Sequence, residues 1–262
     1  MMEADYTHDY FLTAAQCNAQ KELPVGTLVQ QIIDVATEHA NLIGVGASRL
    51  GEDGNTWVLS RIAFEMQRYP RMEERYSITT WVESFAKFFS ERNFDICDGN
   101  GSIIGRARTT WVCINRRTRR PADITELAST VAITPERPCP INPVTHLRPI
   151  TNPQIENTYT FHVSDIDFNR HVNSVRYVDL FINQIGLSTY DDFFISRFEI
   201  TFHREAHFGD EVIVASTFNE EAMVSQICSA DTVFCLNKIF MSRRSDNESV
   251  IVSSIVDQLV EA

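Results

Sequence analysis

Ser164 to Tyr177, read as SDIDFNRHVNSVRY, holds the chain's densest set of groups able to do chemistry. Asp167, Asn169 and His171 alternate with Phe168 and Arg170. In an extended segment all three polar side chains would therefore project to one side. Val172 and Asn173 follow, and a helical pattern then begins. An acid, an amide and an imidazole just ahead of a helix N-terminus can move protons, and the N–H groups and dipole there favour a developing oxyanion. The same residue types also cap helices and build turns: Asn173 is a candidate N-cap, and an imidazole can simply hydrogen-bond a carbonyl. For an isolated DxNxH the structural reading is preferred.

The elements around this segment occur twice. Leu28 to Gly44 is apolar at Leu28, Ile32, Val35, Ala36, Ala40 and Ile43, and Val172 to Gly186 at Val175, Val178, Ile182 and Ile185. Both have a helical period and both end in Ile-Gly, with Gly suited to the left-handed position past a helix C-terminus. Leu59–Ser84 and Ile195–Glu220 align without a gap at an offset of 136. That offset pairs Ser60 with Ser196, Arg61 with Arg197 and Arg68 with Arg204, and apolar pairs such as Ile62/Phe198, Met72/Phe208 and Ile78/Val214 coincide. Each segment reads as a strand, a short charged turn and a strand. Further β-rich runs follow at Phe88–Cys97 and Ile103–Asn115 in one half, and at Val224–Ser229, Val233–Ser242 and Val250–Val260 in the other. Between the halves stand Pro135, Pro138, Pro140, Pro143, Pro149 and Pro153, which disallow a helix or a central strand and predict an extended linker. The pattern predicts a tandem α+β protein of two helix-plus-antiparallel-sheet repeats: residues 1–133, a linker over 134–153, and residues 154–262. Trp57, Trp81 and Trp111 fall on predicted strands and read as core, as does the stripe Ile32, Ile33, Ala36, Ala40 and Ile43.

Composition narrows the function classes. Of 262 residues, 44% are hydrophobic and 22% charged, which is enough apolar mass for a sizeable core and excludes a disordered chain. The net charge of −12 argues against nucleic acid or an anionic membrane surface as a partner. Cys17, Cys97, Cys113, Cys139, Cys228 and Cys235 show no CxxC or metal spacing and read as reduced thiols. No cofactor and no metal is expected, since a Gly-rich phosphate loop, a metal spacing and a GxSxG elbow are all missing. No apolar run reaches the length of a membrane span, and the acidic start has no signal-peptide character, so a cytoplasmic location is expected.

These motifs together resemble the plant and bacterial acyl-acyl-carrier-protein thioesterases, a family with a tandem double hotdog fold. The family's D-x-D-x-N-x-H-V-N-N is matched by Asp165-Ile-Asp167-Phe-Asn169-Arg-His171-Val-Asn173-Ser174. Arg68-Tyr69-Pro70, Thr80-Trp81-Val82, and Trp111-Val112 with Asn115-Arg116-Arg117-Thr118-Arg119-Arg120 are similar to first-repeat motifs. The likeness runs from about Leu23 to the C-terminus and lacks the plant transit peptide.

The resemblance implies catalytic roles for Asp167, Asn169, His171 and Glu205. The family places Glu-Cys after a strand, and this chain has Glu205-Ala206. A nucleophilic thiol is thus missing there, and the remaining groups suit general-base attack by water. Which of Glu205, His171 and Asp167 is the base stays open. The first helix is preceded by no DxNxH, which implies one active site per chain, in the second repeat, with the first supplying the acyl pocket. The implied activity is hydrolysis of fatty acyl-acyl-carrier-protein to free fatty acid and carrier protein. An acyl-CoA thioesterase and a non-catalytic acyl-binding module are the alternatives. A hotdog dehydratase fits less well, because no Pro stands between Asp167 and His171. Arg116, Arg117, Arg119 and Arg120, the one dense basic run on an acidic chain, are the candidate contact for an acidic carrier protein. Exposed sheet edges leave room for a homodimer.

Overall fold

The structure, a computed structural model, describes residues 4–129, 131–219 and 221–244. Its contacts divide the chain between Pro143 and Val144, inside the Pro-rich stretch; the short pieces Val25–Thr27 and Met66–Arg68 group with the second unit.

The first unit contains β1 (Asp5–Phe11), α1 (Val25–Leu42), α2 (Ala47–Glu52), β2 (Asn55–Met66), β3 (Arg75–Phe85), β4 (Phe89–Asp98), β5 (Ile103–Asn115) and α3 (Thr125–Ala128). Its strands run in the order β1-β3-β4-β5-β2. The apolar stripe of α1 sits in the core, with Leu28, Val29, Ile32, Val35 and Ala36 buried. Polar side chains orient that helix on the sheet: Gln31 Nε2 donates to Tyr76 Oη of β3 at 2.8 Å, and His39 Nδ1 lies 2.6 Å from Arg92 Nη1 of β4. Arg92 is buried, which pulls its guanidinium down to about 9.

The second unit contains β6 (Ile155–Thr160), α4 (Ser174–Ile182), α5 (Leu187–Asp192), β7 (Phe193–Phe202), β8 (Glu211–Phe218), β9 (Met223–Ser229) and β10 (Thr232–Arg243). Its order, β6-β8-β9-β10-β7, is that of the first unit, element for element. The offset of 136 carries Met66, the last residue of β2, onto Phe202, the last of β7, and Arg75 onto Glu211, the first residues of β3 and β8. Arg61 and Arg197 each stand five residues before the end of their strand. The buried pairs Ile62/Phe198 and Ile78/Val214 follow.

Several local expectations differ from the structure. Strands β1 and β6 add an edge to each sheet. The matched apolar pair Met72 and Phe208 is exposed, in the turns between the paired strands. Of the three tryptophans, Trp81 is fully buried, and Trp57 and Trp111 only partly. Gly44 takes the left-handed conformation (φ 74°) expected past α1. Gly186 does not: at φ −64° it is the N-cap of α5, because the second helix breaks after nine residues and restarts. The strand expected at Val250–Val260 lies outside the described residues. Among those described, no helix is long and apolar enough to cross a membrane.

Between α3 and β6 the described residues form neither helix nor strand. Six prolines remove six N–H donors from this stretch, and the remaining N–H and C=O groups still need partners. Side chains of the sheets supply them. In the first unit Cys139 N donates to Glu83 Oε2 at 3.2 Å, and Arg108 Nη1 donates to Ile141 O at 3.2 Å. Trp81 Nε1 donates to Arg137 O, while the Arg137 guanidinium stacks 3.8 Å over the Trp81 ring. In the second unit Ile150 N donates to Gln226 Oε1 at 2.8 Å, and Thr145 N to Glu199 Oε2 at 2.6 Å.

Glu199 is 1% exposed, and its other oxygen accepts from Arg197 Nε at 2.6 Å. Glu199→Ala removes the acceptor of both a backbone donor and a guanidinium, so it is expected to cost about 3–5 kcal/mol. Glu199→Gln keeps one acceptor oxygen and costs less. Urea denaturation of both variants checks the order.

Candidate active site

The Asp167–His171 segment is not an extended strand. Ile166 and Val172 form an isolated antiparallel bridge, and the five residues between them make a closed loop. Asp167 Oδ1 accepts from Asn169 N at 2.8 Å and from His171 N at 3.1 Å. Asp167 N donates to His171 O at 2.8 Å, and Arg170 N donates to Asp167 O at 3.0 Å. Arg170 turns left-handed at φ 67°, a conformation that a non-glycine residue holds only when its surroundings fix it. A carboxylate two and four residues ahead of bare N–H groups makes this turn, and it overrides the alternation read from sequence.

Buried groups anchor the loop at both ends. Asp165 is 4% exposed; its Oδ2 accepts from Tyr159 Oη and His162 N, and its carbonyl accepts from Asn173 N. On the other side Val172 N donates to Ala206 O at 2.9 Å. Ala206 N in turn donates to Tyr177 Oη of α4 at 3.0 Å. Burial raises the Tyr177 phenol well above the usual tyrosine range, so it stays protonated. These two hydrogen bonds lay the His203–Ala206 stretch after β7 beside the loop.

His171 Nδ1 thereby lies 3.5 Å from Glu205 Oε1. The His171 side chain is 26% exposed and that of Glu205 32%, so water reaches both. Nδ1 faces the carboxylate, which turns Nε2 away from it. The ring of His207 stands edge-on to that of His171, with centroids 5.2 Å apart. An imidazole against a carboxylate, open to water, can accept and pass on a proton.

Each of the other expected site residues has its own local setting. Asn169 is exposed at the loop tip, its N–H on Asp167; among the described residues its side chain makes no hydrogen bond. Asn173 is the N-cap of α4, its Oδ1 accepting from Val175 N at 2.9 Å. That N–H is therefore engaged and not available to an oxyanion, which narrows what the helix terminus can offer. Arg116, Arg117, Arg119 and Arg120 are all exposed, in the turn after β5 in the first unit. Asn115 Oδ1 accepts from Thr118 N at 3.0 Å and shapes that turn. Sequence reasoning gave no part to Asp165, Tyr177 or His207. Asp165 stands in the matched motif, and the helical period of α4 turns Tyr177 to the same buried side as Val178 and Phe181.

Comparison with known proteins gives the class of this arrangement. A crystal structure of an acyl-ACP thioesterase from Bacteroides thetaiotaomicron superposes with a TM-score of 0.85 at 31% identity, over 91% of this chain and 98% of that one. The 12:0-ACP thioesterase from Umbellularia californica superposes with a TM-score of 0.83 at 17% identity, over 93% of this chain and 99% of that one, and shares the fold. The architecture is a tandem double hotdog. Residues 3–130 match the acyl-ACP thioesterase N-terminal domain, and residues 150–249 match the acyl-ACP thioesterase C-terminal domain. The chain belongs to the acyl-ACP thioesterase family. It is 22% identical over 233 residues to the chloroplastic oleoyl-acyl carrier protein thioesterase 1 of Arabidopsis thaliana, covering 82% of this chain and 64% of that protein's length.

The Tyr177 hydroxyl can be tested apart from chemistry. Tyr177→Phe leaves the buried Ala206 N–H without its acceptor and is expected to destabilise by about 1–3 kcal/mol. Denaturant unfolding measures this. The loss should be accompanied by a lower rate, because Ala206 adjoins Glu205.

Proposed function

We propose that the chain is a thioesterase that hydrolyses fatty acyl-acyl-carrier-protein to free fatty acid and carrier protein. The observation that carries this reading is the His171–Glu205 pair, 3.5 Å apart and open to water, in a member of the acyl-ACP thioesterase family. The chemistry follows from the groups present. Ala206 offers no nucleophile, and burial drives the thiol of Cys235 on β10 well above its usual range, keeping it protonated. Water is therefore the nucleophile. The His171–Glu205 pair takes one proton from it. The hydroxide adds to the thioester carbonyl carbon. The exposed Asn169 amide is suited to donate to the oxyanion. The tetrahedral intermediate collapses with cleavage of the C–S bond, and the proton held by the pair goes to the departing thiolate. The first repeat supplies the acyl pocket, and the arginines after β5 meet the acidic carrier. A cytoplasmic setting suits the reduced cysteines.

Two experiments test this. In the first, Glu205→Gln and His171→Ala are each expected to lower kcat by about 10²–10⁴ while the fold survives. The double variant should cost little more than either single one. Thiol release from a panel of acyl-carrier-protein and acyl-CoA thioesters provides the measurement. No release from any of them would favour an acyl-binding module, and a normal rate for a folded Glu205→Gln would remove the pair from the mechanism.

In the second, Arg116, Arg117, Arg119 and Arg120 are all changed to Glu. This should raise the KM for acyl-carrier-protein and weaken its salt dependence, with a smaller change on acyl-CoA. Equal losses on both substrates would assign the run to folding instead.

A further inference from the structure

The backbone around the His171–Glu205 pair is built a second time in the first unit. An offset of 149 places Asn18 at the position of Asp167, Ala19 at Phe168, Lys21 at Arg170 and Glu22 at His171. Asn18 Oδ1 accepts from Gln20 N at 3.1 Å and from Glu22 N at 2.9 Å, as Asp167 Oδ1 does from Asn169 N and His171 N. Lys21 and Arg170 are both left-handed, at φ 60° and 67°. The same offset relates the short 3₁₀ turns Ala14–Gln16 and Val163–Asp165. The strand offset of 136 relates the turns after β2 and β7, where Arg71 N donates to Glu74 Oε2 and His207 N to Asp210 Oδ2, both at 2.8 Å. The segments are joined alike. Leu23 N donates to Pro70 O and Glu73 N to Leu12 O, as Val172 N does to Ala206 O and Gly209 N to Phe161 O.

The side chains on this common backbone differ. Phe168 is 91% exposed, Val163 77% and Phe208 63%. Their counterparts in the first unit are Ala19, Ala14 and Met72. The fold therefore does not ask for large apolar groups at 163 and 168, and holding them in water is unfavourable. Scattered exposed apolar residues are ordinary, but these stand on adjoining segments around one reacting pair. Charge on this rim is one-sided as well. The exposed residues of 162–171 and 203–210 include Arg170, Arg204, His162, His203 and His207, and no carboxylate. The carboxylates of these segments are turned onto donors of their own. Asp165 accepts from His162 N, Asp167 from His171 N and Asp210 from His207 N, while Glu205 faces His171. On a chain of net charge −12 this is an exception.

We infer that this rim is the docking surface for the carrier protein. Phe168, Val163 and Phe208 make the apolar contact, and Arg170 and Arg204 meet carboxylates of the acidic carrier. The thioester has to be delivered to His171 and Glu205, and a carrier seated on the segments that hold them presents it there. A second copy of this chain on the same rim would instead cover the pair, which is open to water. The rim adds an apolar anchor to the purely electrostatic contact offered by the arginines after β5. This rests on the reading of the chain as a thioesterase acting on carrier-bound acyl groups.

The test combines Val163→Ala, Phe168→Ala and Phe208→Ala in one variant and makes Arg170→Gln alone. One readout is the Kd of fluorescently labelled holo-acyl-carrier-protein, measured by anisotropy. The other is kcat and KM for thiol release from acyl-carrier-protein and from acyl-CoA, which bears the same thiol arm without the protein. The triple variant should raise Kd and the KM for acyl-carrier-protein by about tenfold or more, the effect of truncating anchor residues. The change on acyl-CoA should be smaller, below about threefold, because no carrier surface is involved. Arg170→Gln should flatten the salt dependence of Kd. An unchanged Kd in a folded triple variant, or equal losses on both substrates, overturns the inference, as does a variant that alters only the oligomeric state. If the triple variant does not fold, Phe168→Ala and Arg170→Gln decide singly, since the first unit closes the same loop around an alanine. A parent that releases no thiol yet binds the carrier through this rim overturns the thioesterase reading and not the inference. A parent that hydrolyses acyl-CoA and binds no carrier overturns the inference and leaves a thioesterase.

Discussion

A single backbone contact, Val172 N–H to Ala206 O, joins the two stretches on which the site depends. His171 and Glu205 lie 34 residues apart in sequence, and no local propensity brings them together. The contact is dry: Ala206 is fully buried, and its own N–H is met by Tyr177 from the helix that follows His171. An unmet buried donor is costly, so the phenol, the alanine and the valine fix one another's place. The short side chain at position 206 belongs to that packing. Where the family motif has a cysteine, this chain has a small apolar residue, packed beside the imidazole and the carboxylate.

Much of the fold was legible because its signals are periodic. The gap-free offset of 136 located both ends of a strand pair, and β5 was read at its observed bounds of Ile103–Asn115. Alternation of period two is the mark of a strand, but a side-chain oxygen that captures N–H groups two and four residues ahead writes the same pattern into a closed loop. Sequence reasoning therefore set Asp167, Asn169 and His171 on one face, whereas only His171 meets Glu205. Strand β1 was missed for the opposite reason. Its Tyr6, His8 and Tyr10 alternate with exposed residues, yet the half-buried side is aromatic and polar, so hydropathy passed over it. Their partners come from α1, where Glu38 accepts from Tyr6 Oη and lies 2.8 Å from His8 Nδ1.

The two repeats separate what a fold requires from what a reaction requires. Strand order, strand register and the loop ahead of the helix are common to both. The groups that differ are those that would move protons: Glu22 stands for His171, and Tyr69 for Glu205. Tyr69 is buried and Glu205 is open to water, so the two halves differ there both in the ionisable group and in its access to solvent. The two halves share the scaffold and differ in the side chains it carries at these positions.

The proline-rich stretch is held in a way that bears on how such a chain can change length. A strand inserted into a ladder is committed to a register, and one additional residue turns every later side chain to the wrong face. The stretch between α3 and β6 has no register. Glu83, Glu199 and Gln226 grip it at separate points, each through one or two bonds. A residue gained or lost between two grips becomes slack that the next grip absorbs, and closing a slightly longer span costs only tenths of a kcal/mol, on the order of the logarithmic loop term. Insertions and deletions among relatives are accordingly expected to accumulate between these anchor points, and to avoid the strands that the anchors grow from.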